Sequence, residues 1–162
     1  MIRGRISSDI KDLNELHKQY FWIPNETMIR PSQKVLDDKR TFSDYVLHNW
    51  MSFKDFILNT HFHFPVDIED GHLYVLDTAK RAEWHFTRSL FPYDLPDSVN
   101  HYVLWNSFTD CFQLFDDSKI NNIIKETLES MIGCDNFDFA WYVNPKPSIP
   151  ELWHCQVFWI KF

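Results

Sequence analysis

Apolar and polar positions along the chain alternate between helical and extended patterns. In residues 8–20, Ile10, Leu13, Leu16 and Tyr20 recur at helical spacing, and Pro24 and Pro31 bound an irregular stretch after them. Residues 41–59 give a clearer helix. Phe42, Tyr45, Val46, Trp50, Phe53, Phe56 and Ile57 form one stripe, Thr41 is placed to cap, and Asp44 stands at the third position of a capping box. Such a stripe reads first as helix core. HLYVL at 72–76 follows an Asp70-Gly71 turn and predicts a short strand. Residues 78–90 read as a helix with Ala82, Phe86 and Leu90 inward, stopped at Phe91 by Pro92.

The second half is better punctuated. HYVLW at 101–105 is too apolar for a surface loop and predicts a strand. Over 118–132, Ser118 caps a helix, Ile120, Ile123, Ile124, Leu128 and Met131 form its stripe, and Gly133 sits just past its end. In 137–143, Phe137, Phe139, Trp141 and Val143 alternate onto one face. In 153–160, Trp153, Cys155, Val157 and Trp159 share one face, and His154, Gln156, Phe158 and Ile160 share the other. Pro145, Pro147 and Pro150 stiffen the loop between these strands. The expectation is a single α+β domain, an antiparallel sheet with helices packed on it, over 41–162. Residues 1–40 form an N-terminal extension that packs outside it.

Composition narrows the function classes. The chain has 162 residues, enough for one core without staples. It holds 3 glycines, far below the usual ~7%, so no Walker loop or G-x-G-x-x-G turn is present. Aromatics make up 17%, a surplus that also suits anchoring to a partner. The net charge of −7 argues against a nucleic-acid partner, which needs a basic face. No apolar run is long enough to span a bilayer, so no membrane partner is expected, and residues 1–10 lack a signal-peptide core. A cytoplasmic or nuclear location follows as the expectation, with Cys111, Cys134 and Cys155 as reduced thiols. Low glycine with frequent Asn, Asp, Lys and Ile fits a viral or microbial eukaryotic source.

Three groups of residues invite chemistry. His61-Phe62-His63 places two imidazoles at i, i+2, with His48 or His72 as a further ligand, but the run HFHF also suits simple packing, and no metal site is assigned. Cys155 follows His154, yet strand neighbours point to opposite faces, which argues against a thiol–imidazole pair. The third group is the most suggestive. His154 and Gln156 project from one strand face, and the preceding loop brings Asn144, Ser148 and Lys146 toward the same edge. An imidazole among amide and hydroxyl donors suits a phosphate contact or a nucleophile. It equally suits a histidine satisfied within a half-buried sheet. His101 and Trp105 are expected on the wall of such a cleft, and no cofactor is implied.

At these residues two resemblances emerge. The block from Phe91-Pro-Tyr93 through His101 to Trp105, then Trp141-Tyr-Val-Asn144, Ser148-Ile-Pro150 and His154-Cys-Gln-Val157, resembles the fungal N-acetylglucosamine-induced protein family. Tyr45-Val-Leu-His-Asn49 is similar to that family's Y-L-x-x-N helix. The match covers roughly 42–160, and Gln156 stands where the family usually has a second histidine. The resemblance implies a link to amino-sugar response and no defined reaction. A weaker likeness is to the histidine-triad superfamily, in its galactose-1-phosphate uridylyltransferase branch. It rests on Trp153-His-Cys-Gln-Val157. That likeness implies a histidine-triad-like fold, His154 as nucleophile, and Gln156, Asn144 and Ser148 on phosphate or sugar. Leu152 replaces the triad's first histidine, and prolines replace the loop glycines. The functional expectation is binding or turnover of a phosphorylated small molecule, a nucleotide or nucleotide sugar. The rival is a non-catalytic interaction or structural protein. A homodimer through the last strand, ending at Phe162, is a further expectation.

Overall fold

The computed structural model describes residues 5–6, 18, 22, 32–76, 82–93, 95–108, 115–144 and 147–162. Its centre is a five-stranded sheet: β1 (Arg5–Ile6), β4 (Trp84–Arg88), β5 (Asn100–Asn106), β6 (Phe137–Tyr142) and β7 (His154–Lys161), in the order β1-β6-β7-β5-β4. β1 runs parallel to β6, and the other pairs are antiparallel. A hairpin of β2 (Val66–Glu69) and β3 (His72–Val75) stands apart. Among the described residues there are three helices, α1 (Gln33–Asn49), α2 (Phe53–Phe62) and α3 (Asp117–Ile132). The α+β fold with an antiparallel sheet is as the hydrophobic pattern indicates.

The period-2 alternation in β6 and β7 sorts the sheet into two faces. Phe137, Phe139 and Trp141 of β6, with Cys155 and Val157 of β7 and Tyr102 and Leu104 of β5, turn toward α3. There Ile120, Ile124 and Leu128 are fully buried. Asp116 caps α3, two residues before the expected Ser118, and Gly133 closes it at φ 75°. Truncating Leu128 to Ala removes buried methyl groups and leaves a void. Chemical denaturation should show a loss of roughly 2–5 kcal/mol; a loss under about half a kcal/mol would remove α3 from the core.

The other face is covered by α2 and the segments around it. Val103 and Trp105 of β5 pack with Ile57, Leu58, Phe62, Phe64 and Leu152. Alongside lie Val99, Ala140, Tyr142 and Phe158, joined by Trp22, whose indole N–H donates to Asp138 at 3.2 Å. This contact and β1 tie described parts of the N-terminal region to the sheet.

Several expectations are corrected. The single helix over 41–59 is two helices. Ser32, not Thr41, caps α1, accepting from the Val35 N–H at 3.3 Å. The chain breaks at Met51, whose N–H donates to the Leu73 carbonyl of β3 at 2.9 Å. Ser52 then caps α2 through the Asp55 N–H at 3.1 Å and donates its hydroxyl to the Asp55 carboxylate at 2.6 Å. The boundary drawn at residue 40 therefore falls inside α1. The helix expected over 78–90 is β4 where it is described: Trp84 and Phe86 pack on the α3 core, whereas His85 contacts Phe62 of α2. His61 and His63 do not share an extended segment, because His61 lies in the last turn of α2 and His63 is its left-handed cap at φ 59°. The last strand is no edge: β7 lies between β6 and β5, so it offers no open ladder to a second copy. The helix expected at 8–20, apart from Lys18, and Cys111 lie outside the described residues.

Candidate functional site

The antiparallel register of β5 and β7 builds the floor of a cavity. Trp105 stands opposite His154, Val103 opposite Gln156 and His101 opposite Phe158. Residues directly opposite share a face, so all six turn to the side away from α3. β6 ends at Tyr142, paired with Gln156, and the chain continues to Asn144 beside this floor. The result is a cavity of about 260 Å³, roofed by Phe42 of α1 and by Phe53, Ile57 and His61 of α2.

Six of the seven residues singled out in the sequence line this one cavity: Asn144, Ser148, His154, Gln156, His101 and Trp105. Lys146, with Pro145, lies outside the described residues. No carboxylate is among the described lining residues. Lys39 reaches the rim; Arg88 stands opposite Tyr102, so its side chain turns to the α3 face, where its Nε donates to the Tyr102 hydroxyl at 3.3 Å.

The hydrogen bonds fix the chemistry of the two floor histidines. His154 Nδ1 lies 2.9 Å from the Leu152 carbonyl. A carbonyl only accepts, so Nδ1 carries the proton and the neutral ring holds its lone pair on Nε2. Trp105 stacks on this ring at 4.5 Å and 28°, which fixes its plane. Burial lowers the His154 pKa, against an opposing pull from the Leu152 bond. His101 is buried as well; its Nε2 lies 2.6 Å from Gln156 Oε1, and its Nδ1 accepts the Tyr93 N–H at 3.2 Å.

His61 is a cavity residue that sequence reasoning misses. It stands out in the sequence only as half of a metal pair, whereas its place here depends on the tertiary packing of α2 over β4 and β5. Its ring stacks on His85 at 4.8 Å and lies 5.8 Å from Trp105. Its Nε2 is buried with no hydrogen-bond partner among the described residues. Among the described residues no group of three or more His, Cys, Asp or Glu is arranged to hold a metal. Cys155 faces the α3 core, opposite to His154, and burial raises its thiol pKa well above the usual value. It is therefore protonated and no thiolate nucleophile.

The buried imidazoles predict a pH dependence of stability. Burial lowers His61 and His101 to about 4, and it lowers His85 as well. The unfolded chain, with imidazoles near ~6.5, binds more protons than the folded one between these values. The stabilisation is fully present above about pH 6.5 and is lost as pH falls toward about 4. Urea midpoints should drop between about pH 7.5 and about pH 5. A midpoint that stays level would contradict the burial of these rings.

The fold and the site define a single α+β domain with a histidine-floored cavity on one face of its sheet. The chain belongs to the family described as "Protein of unknown function (DUF3605)", whose profile matches residues 22–159. A solved structure described as "Crystal Structure of HTC1" is similar in fold, with a TM-score of 0.54 and 16% identity. The similarity covers 91% of this chain and 84% of that one, and at this identity it bears on the fold alone. No curated protein matches the chain. Among the described residues no helix is long and apolar enough to cross a membrane.

Proposed function

We propose that the cavity binds a phosphorylated small molecule, a nucleotide or a sugar phosphate, with His154 at its floor. The observation that carries this reading is the convergence of His154, Gln156, Asn144 and Ser148 on one cavity without a carboxylate among its described lining residues. In a chain of net charge −7, a wall whose described residues include no acidic group is what an anionic ligand requires. Amide and hydroxyl groups supply neutral donors to its oxygens, and Lys39 supplies positive charge at the rim. A volume near 260 Å³ lies just below the usual range of ~300–1,000 Å³ for ligand pockets. It favours a hexose phosphate or a nucleoside monophosphate over a whole nucleotide sugar.

The Nε2 lone pair of His154 is the group a nucleotidyl-transferring histidine uses, as the histidine-triad resemblance implies. In such a step Nε2 attacks phosphorus and the leaving oxygen departs with the bonding pair. Leu152 and the prolines set this chain apart, since a proline has no N–H to offer a phosphate. These departures favour binding over rapid turnover. The resemblance to N-acetylglucosamine-induced proteins agrees with a sugar-derived ligand.

Thermal unfolding of the full chain tests the reading, with AMP, UMP, glucose 1-phosphate and UDP-glucose as probes and inorganic phosphate as control. At least one organic phosphate should raise the midpoint in a concentration-dependent way, as linkage demands. If none of the four does so at millimolar concentration, the reading fails.

A second reading is favoured by a separate observation. Leu36, Tyr45 and Leu47 on α1, and Met51 after it, are exposed apolar side chains. They suit a protein partner or a second copy of this chain. Replacing Leu47 with Lys should then shift the assembly state in light scattering. A wild-type chain that stays monomeric up to high concentration would exclude the second copy.

A further inference from the structure

We propose that His101 is a positioning residue: it holds the Gln156 carboxamide in one orientation, with its NH2 turned to the cavity, so that the floor selects a hydrogen-bond-accepting ligand oxygen. The inference rests on the ligand-binding reading above and specifies which atom of the floor meets the ligand.

Proton positions are dictated along a chain of three residues. The Tyr93 backbone N–H can only donate, so His101 Nδ1, 3.2 Å away, must present its lone pair. The single proton of the neutral ring is then on Nε2. Nε2–H faces Gln156 at 2.6 Å, so the atom it meets must be the carboxamide oxygen. The reversed amide would set NH2 against N–H, donor against donor. The backbone of residue 93 thus decides which way Gln156 points, two steps away.

The ring that relays this constraint is held on both sides. His101 stacks with Phe158 at 4.8 Å and 24° and packs on Tyr93 at 4.5 Å and 37°. It is 6% exposed, so water does not compete for either nitrogen. Burial also keeps it neutral near pH 7, with a pKa of about 4. Gln156 itself is half-buried and lines the cavity. Its oxygen is taken by His101, which leaves its NH2 as the group turned toward a ligand. Both nitrogens of His101 are engaged within the protein, so it contacts no ligand through them. It acts through Gln156, whose locked amide meets a phosphoryl, carboxylate or carbonyl oxygen at no reorganisation cost.

Nitrogen-15 NMR of the full chain tests this whatever the natural ligand is. At neutral pH, wild-type His101 should show a protonated Nε2 and an unprotonated Nδ1, and Gln156 should show one ordered pair of amide protons. His101→Phe keeps a ring between Tyr93 and Phe158 and removes both nitrogens. It should release the Gln156 amide into averaged signals and weaken AMP binding about tenfold. In a Gln156→Ala background the same substitution should add little. A proton on Nδ1 in the wild type, unaltered Gln156 signals in His101→Phe, or an equal loss of AMP affinity with and without Gln156 would each overturn the proposal. The wild-type tautomer decides the matter even if the variant fails to fold. An ordered Gln156 that His101→Phe releases, in a chain that binds none of AMP, UMP, glucose 1-phosphate and UDP-glucose, supports the positioning role and overturns the phosphate reading instead.

Discussion

Trp105→Ala is expected to lower the unfolding free energy by roughly 3–5 kcal/mol, the usual cost of emptying a buried aromatic site. In a domain of this size that moves the thermal midpoint down by roughly 6–20 °C. The indole is buried between β5 and the helix–loop cover, where it packs with Val103, Ile57 and Leu152. It also stacks on His154 and neighbours His61. Truncation therefore removes core packing and the surface that fixes the His154 ring. Trp105→Phe keeps an aromatic face and should lose less than half as much. Calorimetry of the three chains checks this. A midpoint within about 2 °C of wild type for Trp105→Ala would mean that α2 and the loop pack independently of the floor.

The second large effect concerns ligand binding. His154→Ala should weaken binding of the stabilising phosphate probe by roughly 3- to 10-fold, the range expected when a neutral hydrogen bond from a ligand hydroxyl to the Nε2 lone pair is lost. The fold should survive the change, because the ring borders the cavity and is no part of the α3 core. His154→Gln, which keeps a polar group at the floor, should recover part of the affinity and none of any turnover. Titration calorimetry separates the outcomes. Equal affinity in wild type and His154→Ala would place the ligand elsewhere, and a fall in Asn144→Ala alone would shift the centre of the site to the loop.

The floor of the site is legible in the sequence because a strand's period is two. His154 and Gln156 are two apart, so any extended reading of 153–160 puts them on one face, and it puts Cys155 on the other. Asn144 and Ser148 belong to the connection between β6 and β7, two neighbouring strands, so it starts and ends at the edge of this floor. His101 and Trp105 need more: their place depends on the register that sets Trp105 opposite His154, and register is a tertiary property. His61 is out of reach for the same reason. The α1–α2 break escapes a pattern reading because the aromatic stripe continues across it. The signal for the break, Ser52 with Asp55, is a second capping pair inside that stripe. β4 reads as a helix because Ala82, Phe86 and Leu90, four apart, fit a helix face and a strand face alike. β2 gives little signal because three of its four residues are exposed.

The central claim is that a phosphorylated ligand sits on the His154 floor. The most direct measurement is a crystal structure of the full chain grown with whichever organic phosphate stabilises it most. The expected result is a phosphate oxygen within hydrogen-bond distance of the Gln156 amide nitrogen, with a ligand hydroxyl or the phosphorus itself facing the His154 Nε2 lone pair, beneath Phe42 and His61. A phosphate bound only at the Lys39 rim, with the floor empty, would contradict the claim.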